Sequence, residues 1–78
     1  MNEVNDKGNL NGYWEKYGDD GNIHYKGNYN NGKMNGYWEG YHSNNNLYYK
    51  GNYNLDKEIG YWEFYYITGM LSQKEFFL

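Results

Sequence analysis

Three glutamates, Glu15, Glu39 and Glu63, recur at a constant interval of 24 residues, each inside the same phrase, Gly-Tyr-Trp-Glu. An acid repeated at fixed spacing can imitate the phosphates of a nucleic acid and fill a basic groove on a nuclease or toxin. It can also do the plainer work of holding a lysine, and Lys26, Lys50 and Lys74 recur at the same interval. Phenols flank the acids in two rows: Tyr13, Tyr37 and Tyr61 on one side, Tyr17, Tyr41 and Tyr65 on the other. Tyrosine gives large contact area at small entropy cost, which suits it to recognition surfaces. Trp14, Trp38 and Trp62 form a further row, readable either as core or as a platform for a sugar.

The residues usual in catalysis are not arranged for it. His24 and His42 are the only imidazoles, and no Ser or carboxylate pattern recurs around them. Acid–base or metal chemistry needs convergent partners at hydrogen-bond reach. Asp19-Asp20 offers too few ligands for calcium and leads into a turn signal at Asp20-Gly21. The glycines follow aromatic runs and open no helix, so no phosphate loop is present. These features predict a chain that is not an enzyme and needs neither cofactor nor metal.

Composition narrows the class. The 78 residues allow one small domain, and the absence of Cys removes disulfides and thiolate metal sites. The formal charge is -3, from 10 acids against 7 bases, and every base is Lys. That balance argues against nucleic acid and against an anionic membrane surface as partners. Residues 1–6 lack a basic or apolar leader, and no apolar run is long enough to span a bilayer, so the expected location is cytoplasmic. Ala, Pro and Arg are missing while Asn, Tyr and Lys abound, as a strongly A+T-biased genome would produce. Glycine, with 11 copies, runs against that bias and implies structural duty.

The repeat states how these residues are positioned. Tyr25-Lys26-Gly27-Asn28-Tyr29-Asn30 returns as Tyr49-Lys50-Gly51-Asn52-Tyr53-Asn54, again 24 residues on, and the third copy drifts to Ser72-Gln73-Lys74-Glu75-Phe76-Phe77-Leu78. A period in the twenties is too short for paired helices and fits one β-hairpin per repeat. The chain therefore reads as one repeat domain over 1–78, with repeats of about 8–31, 32–55 and 56–78. The expected fold is all-β: a single-layer antiparallel meander of six strands, about 10–19, 22–30, 33–43, 46–54, 57–67 and 70–78. Asp20-Gly21 and Asn31-Gly32 predict two-residue type I′ turns, while Thr68-Gly69 and Asn44-Asn45 are weaker signals and Leu55-Asp56 is poor. A turn at Asp20-Gly21 places Trp14 opposite Gly27 and Glu15 opposite Lys26. Carried along the repeat, it pairs Trp38 with Gly51, Glu39 with Lys50, Trp62 with Glu75 and Glu63 with Lys74.

Strand alternation sorts two faces. The expected core face holds Trp14, Tyr25, Gly27, Tyr29, Gly36, Trp38, Tyr49, Gly51, Tyr53, Gly60 and Trp62, and an indole can lie flat over a strand glycine where the register sets one opposite it. The polar face holds Tyr13, Glu15, Tyr17, Tyr37, Glu39, Tyr41, Tyr61, Glu63 and Tyr65, with lysines over the rings. These nine residues are the candidate partner site. A flat layer buries only part of each face. The sheet is therefore expected to curl over its core face, or to pack that face on a second copy or a partner. The apolar last strand, Phe76-Phe77-Leu78, is a second place for self-association.

Asn31-Gly32-Lys33, Gly36-Tyr37-Trp38-Glu39, Tyr41, Leu47 and Tyr53 together resemble the MORN-repeat superfamily, and more closely the variant in the bacterial YwqK antitoxin-like family. The resemblance spans nearly the whole chain. The first Asn-Gly-Lys is degenerate, and the third repeat lacks its Tyr-Lys-Gly-Asn-Tyr-Asn. It implies an array of hairpins that binds or assembles, and the antitoxin label implies capture of a toxic partner. The expected function is non-enzymatic protein–protein interaction, as a small inhibitor or antitoxin-like module that blocks or scaffolds a toxin, nuclease or effector. A phage-borne inhibitor of bacterial defence would use the same physics. The alternative is carbohydrate or cell-envelope binding through the indoles.

Overall fold

A computed structural model describes residues 3–78 as one sheet of seven antiparallel strands in chain order. They are β1 (Glu3–Val4), β2 (Leu10–Tyr17), β3 (Ile23–Asn30), β4 (Lys33–Tyr41), β5 (Leu47–Asn54), β6 (Lys57–Tyr65) and β7 (Leu71–Phe77). The six expected strands are present, each a residue or two shorter where a loop takes over. The addition is β1, two residues with no aromatic signal, set beside β2 by a loop in which Asn5 Oδ1 accepts from the Lys7 and Asn9 amides, both at 3.0 Å. The sheet extends 41 × 35 × 12 Å, a single layer that neither folds over itself nor carries a second layer.

The register follows the repeat. Trp14 faces Gly27, Glu15 faces Lys26, Trp38 faces Gly51, Glu39 faces Lys50, Trp62 faces Glu75 and Glu63 faces Lys74. The turns reach it by a different route. At Asp20-Gly21 the loop is three residues, not two: the Gly18 amide donates to Asn22 O at 2.9 Å and only Gly21 has positive φ, at 84°. The extra residue is returned at His24, which is skipped when Lys16 pairs with Tyr25 and Tyr17 with Ile23. Such a loop with its left-handed closing residue and bulge is a standard hairpin end. It recurs at Asn45 and Gly69, with Tyr48 and Ser72 skipped. At the other end, Asn31-Gly32 adopts the expected type I′ turn. Leu55-Asp56 does too, despite its composition, at φ 48° and 71°.

The asparagines do more than reflect a base bias. Their side chains join loops of successive repeats along both ends of the sheet. Asn31 Oδ1 accepts from Asn5 and Asn9, at 2.7 and 3.0 Å, and Asn11 and Asn35 accept from the amides of Asn31 and Leu55. At the opposite end Asn22 donates to Ser43 O, and Asn44 and Asn46 both donate to Ile67 O.

Glycines serve two separate purposes. Gly36 and Gly60 have φ of 89° and 70° inside strands, where three residues of β4 or β6 face one residue of the preceding strand. A methyl there would touch nothing, so backbone conformation alone demands glycine. Gly27 and Gly51 have ordinary backbone and are buried beneath indoles. The indole on each comes from the following hairpin: Trp38 covers Gly27 and Trp62 covers Gly51, whereas the hairpin register alone suggests Trp14 and Trp38. The indole N–H groups also point backward, to Asn28 O at 2.9 Å and Asn52 O at 3.2 Å. Trp14 donates in the same way to Glu3 O at 3.1 Å, so β1 closes the start of the series.

This overlap is how one layer makes a core. Trp38 is 1% exposed and Trp62 2%, and among the described residues no other large side chain is so completely buried. Tyr25 lies tilted against Trp38 at 5.6 Å, with Tyr29 and Tyr53 edge-on at 5.1 and 6.1 Å. Tyr49 and Phe64 stack on Trp62, with Tyr53 and Phe77 edge-on. Such ring pairs contribute roughly 0.5–1.5 kcal/mol each beyond their buried area. Gly40 adds a third covered glycine, beneath the Tyr49 ring.

Two substitutions test this account. A methyl on Gly51 would fall 2.1 Å from Trp62 Cδ2, so Gly51→Ala should cost about 1–3 kcal/mol in denaturant melts. Leu55→Asn relieves a left-handed leucine while keeping the Leu55 amide bond to Asn35. It should raise the thermal midpoint by several degrees, about 4–8 °C per kcal/mol gained. An unchanged midpoint for both would refute the distinction between space and backbone.

Candidate recognition surface

All nine polar-face candidates lie together. Tyr13, Glu15 and Tyr17 are on β2, Tyr37, Glu39 and Tyr41 on β4, Tyr61, Glu63 and Tyr65 on β6. Strands β3, β5 and β7 bring one lysine each between them.

Within a strand, residues two apart share a face, so Tyr-x-Glu-x-Tyr sets a carboxylate between two phenols. The hydroxyls close on it. Tyr13 and Tyr17 donate to the two oxygens of Glu15 at 2.9 and 2.6 Å, and Tyr37 and Tyr41 to those of Glu39 at 2.7 and 2.5 Å. In the third copy Tyr65 donates to Glu63 at 2.7 Å, while the Tyr61 ring packs at 4.8 Å on Phe76. Sequence reasoning found the rows but not this clasp, although the spacing of two was visible.

The lysines complete the lattice. Lys26 Nζ lies 3.5 Å from Glu39, Lys50 3.3 Å from Glu63, and Lys74 3.8 Å from Glu63. The first two pairs join consecutive hairpins, so the contact of Lys50 runs to Glu63, its register partner on the next strand, and not to Glu39, its register partner within the hairpin. Each ammonium also sits over a ring: Lys26 over Tyr41, Lys50 over Tyr65 and Lys74 over Tyr61. The hydroxyls of Tyr17 and Tyr13 hold Glu15 below the usual carboxylate range, and the Tyr65 hydroxyl and then the Lys50 ammonium do so for Glu63. Burial opposes ionisation of Glu39, but the Tyr41 and Tyr37 hydroxyls and Lys26 outweigh it and lower its value too. The phenols move the other way. Burial and then the Glu39 hydrogen bond raise Tyr37 and Tyr41, and the hydrogen bond to Glu63 raises Tyr65.

Part of the face stays open. Tyr17, Tyr37 and Tyr61 are 51%, 46% and 65% exposed. The indole row is closed by contrast: Trp38 and Trp62 offer no free ring face, and only Trp14 is half-exposed. The histidines are apart from both rows. His42 Nε2 lies 2.8 Å from Tyr65 O and its ring stacks on Tyr48 at 4.5 Å, while His24 is the bulge residue beside Gly18. Among the described residues no three metal-ligating side chains cluster, around Asp19-Asp20 or elsewhere. No family model matches the chain, and no curated protein or solved structure matches it either.

The clasps predict a two-sided pH dependence. The glutamates have folded values below the ordinary 4.5, so their contribution is complete above about 4.5 and disappears as pH falls through the folded values. The clasping phenols have folded values above 10.0, so their contribution is complete below that and disappears as pH climbs past it. Melting followed by circular dichroism should give a midpoint that is flat from about pH 5 to 9 and falls on both sides. Glu39→Gln should blunt both falls, and a midpoint unaltered at pH 3 would exclude the clasps as a source of stability.

Proposed function

We propose that the chain is a non-enzymatic protein-binding module, a small inhibitor or antitoxin-like protein that docks its tyrosine–glutamate face on a basic surface of a partner protein. One observation carries this reading: five of the six phenols are fixed by carboxylates before any partner arrives and Tyr61 is packed on Phe76, yet Tyr37 and Tyr61 remain open. Side chains already held in place lose little freedom on binding, which leaves more of the contact energy as affinity. On this face the three lysines offset the three glutamates, but the chain is negative overall, at -3, so a basic partner is favoured over an acidic one. The sequence resemblance to hairpin-repeat binding modules points the same way. Closure of Trp38 and Trp62 weighs against the sugar-platform alternative.

The test is a paired capture. Tagged wild-type chain and the Tyr37→Ala/Tyr61→Ala variant are used to capture partners from the native host, with mass spectrometry of what co-elutes. Both side chains lie outside the indole core, so the variant should stay folded, its midpoint lowered only by the loss of the Tyr37 bond to Glu39 and of the Tyr61 packing on Phe76. The partner should bind it about tenfold or more weakly, as expected for losing central aromatic contacts. Equal capture by a folded variant would remove the proposal.

A further inference from the structure

Inside the sheet, each polar-face lysine serves the strand that follows it. Lys26 on β3 reaches forward to Glu39 on β4 and lies 5.9 Å from the centre of the Tyr41 ring. Lys50 on β5 treats Glu63 and Tyr65 on β6 in the same way. Lys74 occupies this position on β7, the last strand of the described sheet. It turns back instead, to Glu63 at the longest of the three distances and to the Tyr61 ring. The other face of β7 departs from the repeat. Glu75, accepting from Gln73, stands where β3 and β5 have Gly27 and Gly51, so no indole can lie there as Trp38 and Trp62 do. The strand thus keeps one half of an interior contact and replaces the other half with a charge.

We propose that the β7 edge receives an extended segment of a partner protein as an eighth, antiparallel strand, with the pattern basic, acidic, any residue, aromatic. Interior pairing supplies the register. Lys26 faces Glu39 and Gly27 faces Trp38. An acid on the incoming strand therefore faces Lys74, the base before it faces Glu75, and the aromatic residue two beyond the acid comes under the lysine as Tyr41 does. Phe76, 56% exposed and packed on Tyr61, gives an apolar flank on the same face. Main-chain pairing supplies affinity and the alternating side chains supply selectivity, as in other strand additions. A second copy of this chain is the wrong occupant for antiparallel addition. Two β7 strands paired about a two-fold axis at their middle oppose Lys74 to Lys74, or, shifted by one, Glu75 to Glu75. Like charges directly opposite destabilise a strand pair, and here they also guard the bare edge. This surface lies at the end of the sheet and borders the tyrosine–glutamate face through the Lys74 contacts to Glu63 and Tyr61, and the peptide titration reads it without the partner of that face.

The probe is a fluorescein-labelled peptide with Lys-Glu-Thr-Tyr between threonine flanks, compared with its charge reversal, Glu-Lys-Thr-Tyr. Anisotropy titration of the full chain should favour the first by about tenfold, equivalent to about 1.4 kcal/mol. Amide NMR shifts should gather on β7 and β6. Lys74→Glu/Glu75→Lys should invert the preference, and the single variant Glu75→Lys should lessen it if the double variant is unstable. Absence of binding by either peptide, equal affinity for both, or shifts centred on β2 would overturn the proposal, as would sedimentation showing that the chain alone pairs through β7.

Discussion

Trp38 lies on Gly27 and Trp62 on Gly51, each indole crossing from its own hairpin to the strand before it, and the remaining features of the sheet are arranged around that overlap. A single layer has no opposing layer to exclude water, so burial has to be found sideways. A glycine lowers the floor beneath each indole, and tyrosines from the flanking strands wall it in. The contact joins one repeat to the next. It thereby makes three hairpins, each marginal in water by itself, into one cooperative object. The left-handed glycines belong to the same arrangement. At Gly36 the strand gathers three residues against one just before Trp38, and at Gly60 the three end with Trp62 itself, which sets where each indole lands.

The opposite face solves a different problem with the same period. Phenols on an open sheet would be free to reorient, and a bare carboxylate would stay fully hydrated. Setting each glutamate between two hydroxyls fixes both kinds of group, because hydrogen bonds to an ionised acceptor are roughly twice as strong as neutral ones. Lysines then tie the acids across the joints between hairpins. Both faces therefore hold the repeats together, one by ring packing and the other by charge, and neither depends on a cavity. The third repeat shows what is lost when the pattern lapses. With Tyr61 packed on Phe76, Glu63 keeps one phenol and takes a second lysine.

Much of this was legible in the sequence because the repeat reports itself. The spacing of Trp14, Trp38 and Trp62 announces one side chain per hairpin on one face. The Gly-Tyr-Trp-Glu phrase shows which neighbours travel with it. What escaped was set by geometry that period alone does not carry. The three-residue loop at Asp20-Gly21 and the bulge at His24 cancel in register, so the strand pairing was right although the turn was not. Leu55-Asp56 takes a turn its composition disfavours, because the surrounding strands impose it and Asp56 itself accepts from the Met34 amide at 2.7 Å. The assignment of indole to glycine needed knowledge of which side of the tryptophan's strand the ring leans toward. The short β1 carries no periodic signal, and the bond it accepts from Trp14 is made by a backbone carbonyl that any residue could provide.

The strict succession of strands from β1 to β7 also determines how the molecule assembles. Every pairing is between neighbours in sequence, so no strand has to wait for a distant segment to arrive. Sheets usually form slowly because their ladders close long loops, and a ladder built only of adjacent hairpins avoids most of that entropy. The chain should behave like a zipper, able to start at any hairpin and advance by adding the next. Opening runs the same course in reverse, beginning at the termini, where a strand is held from one side only.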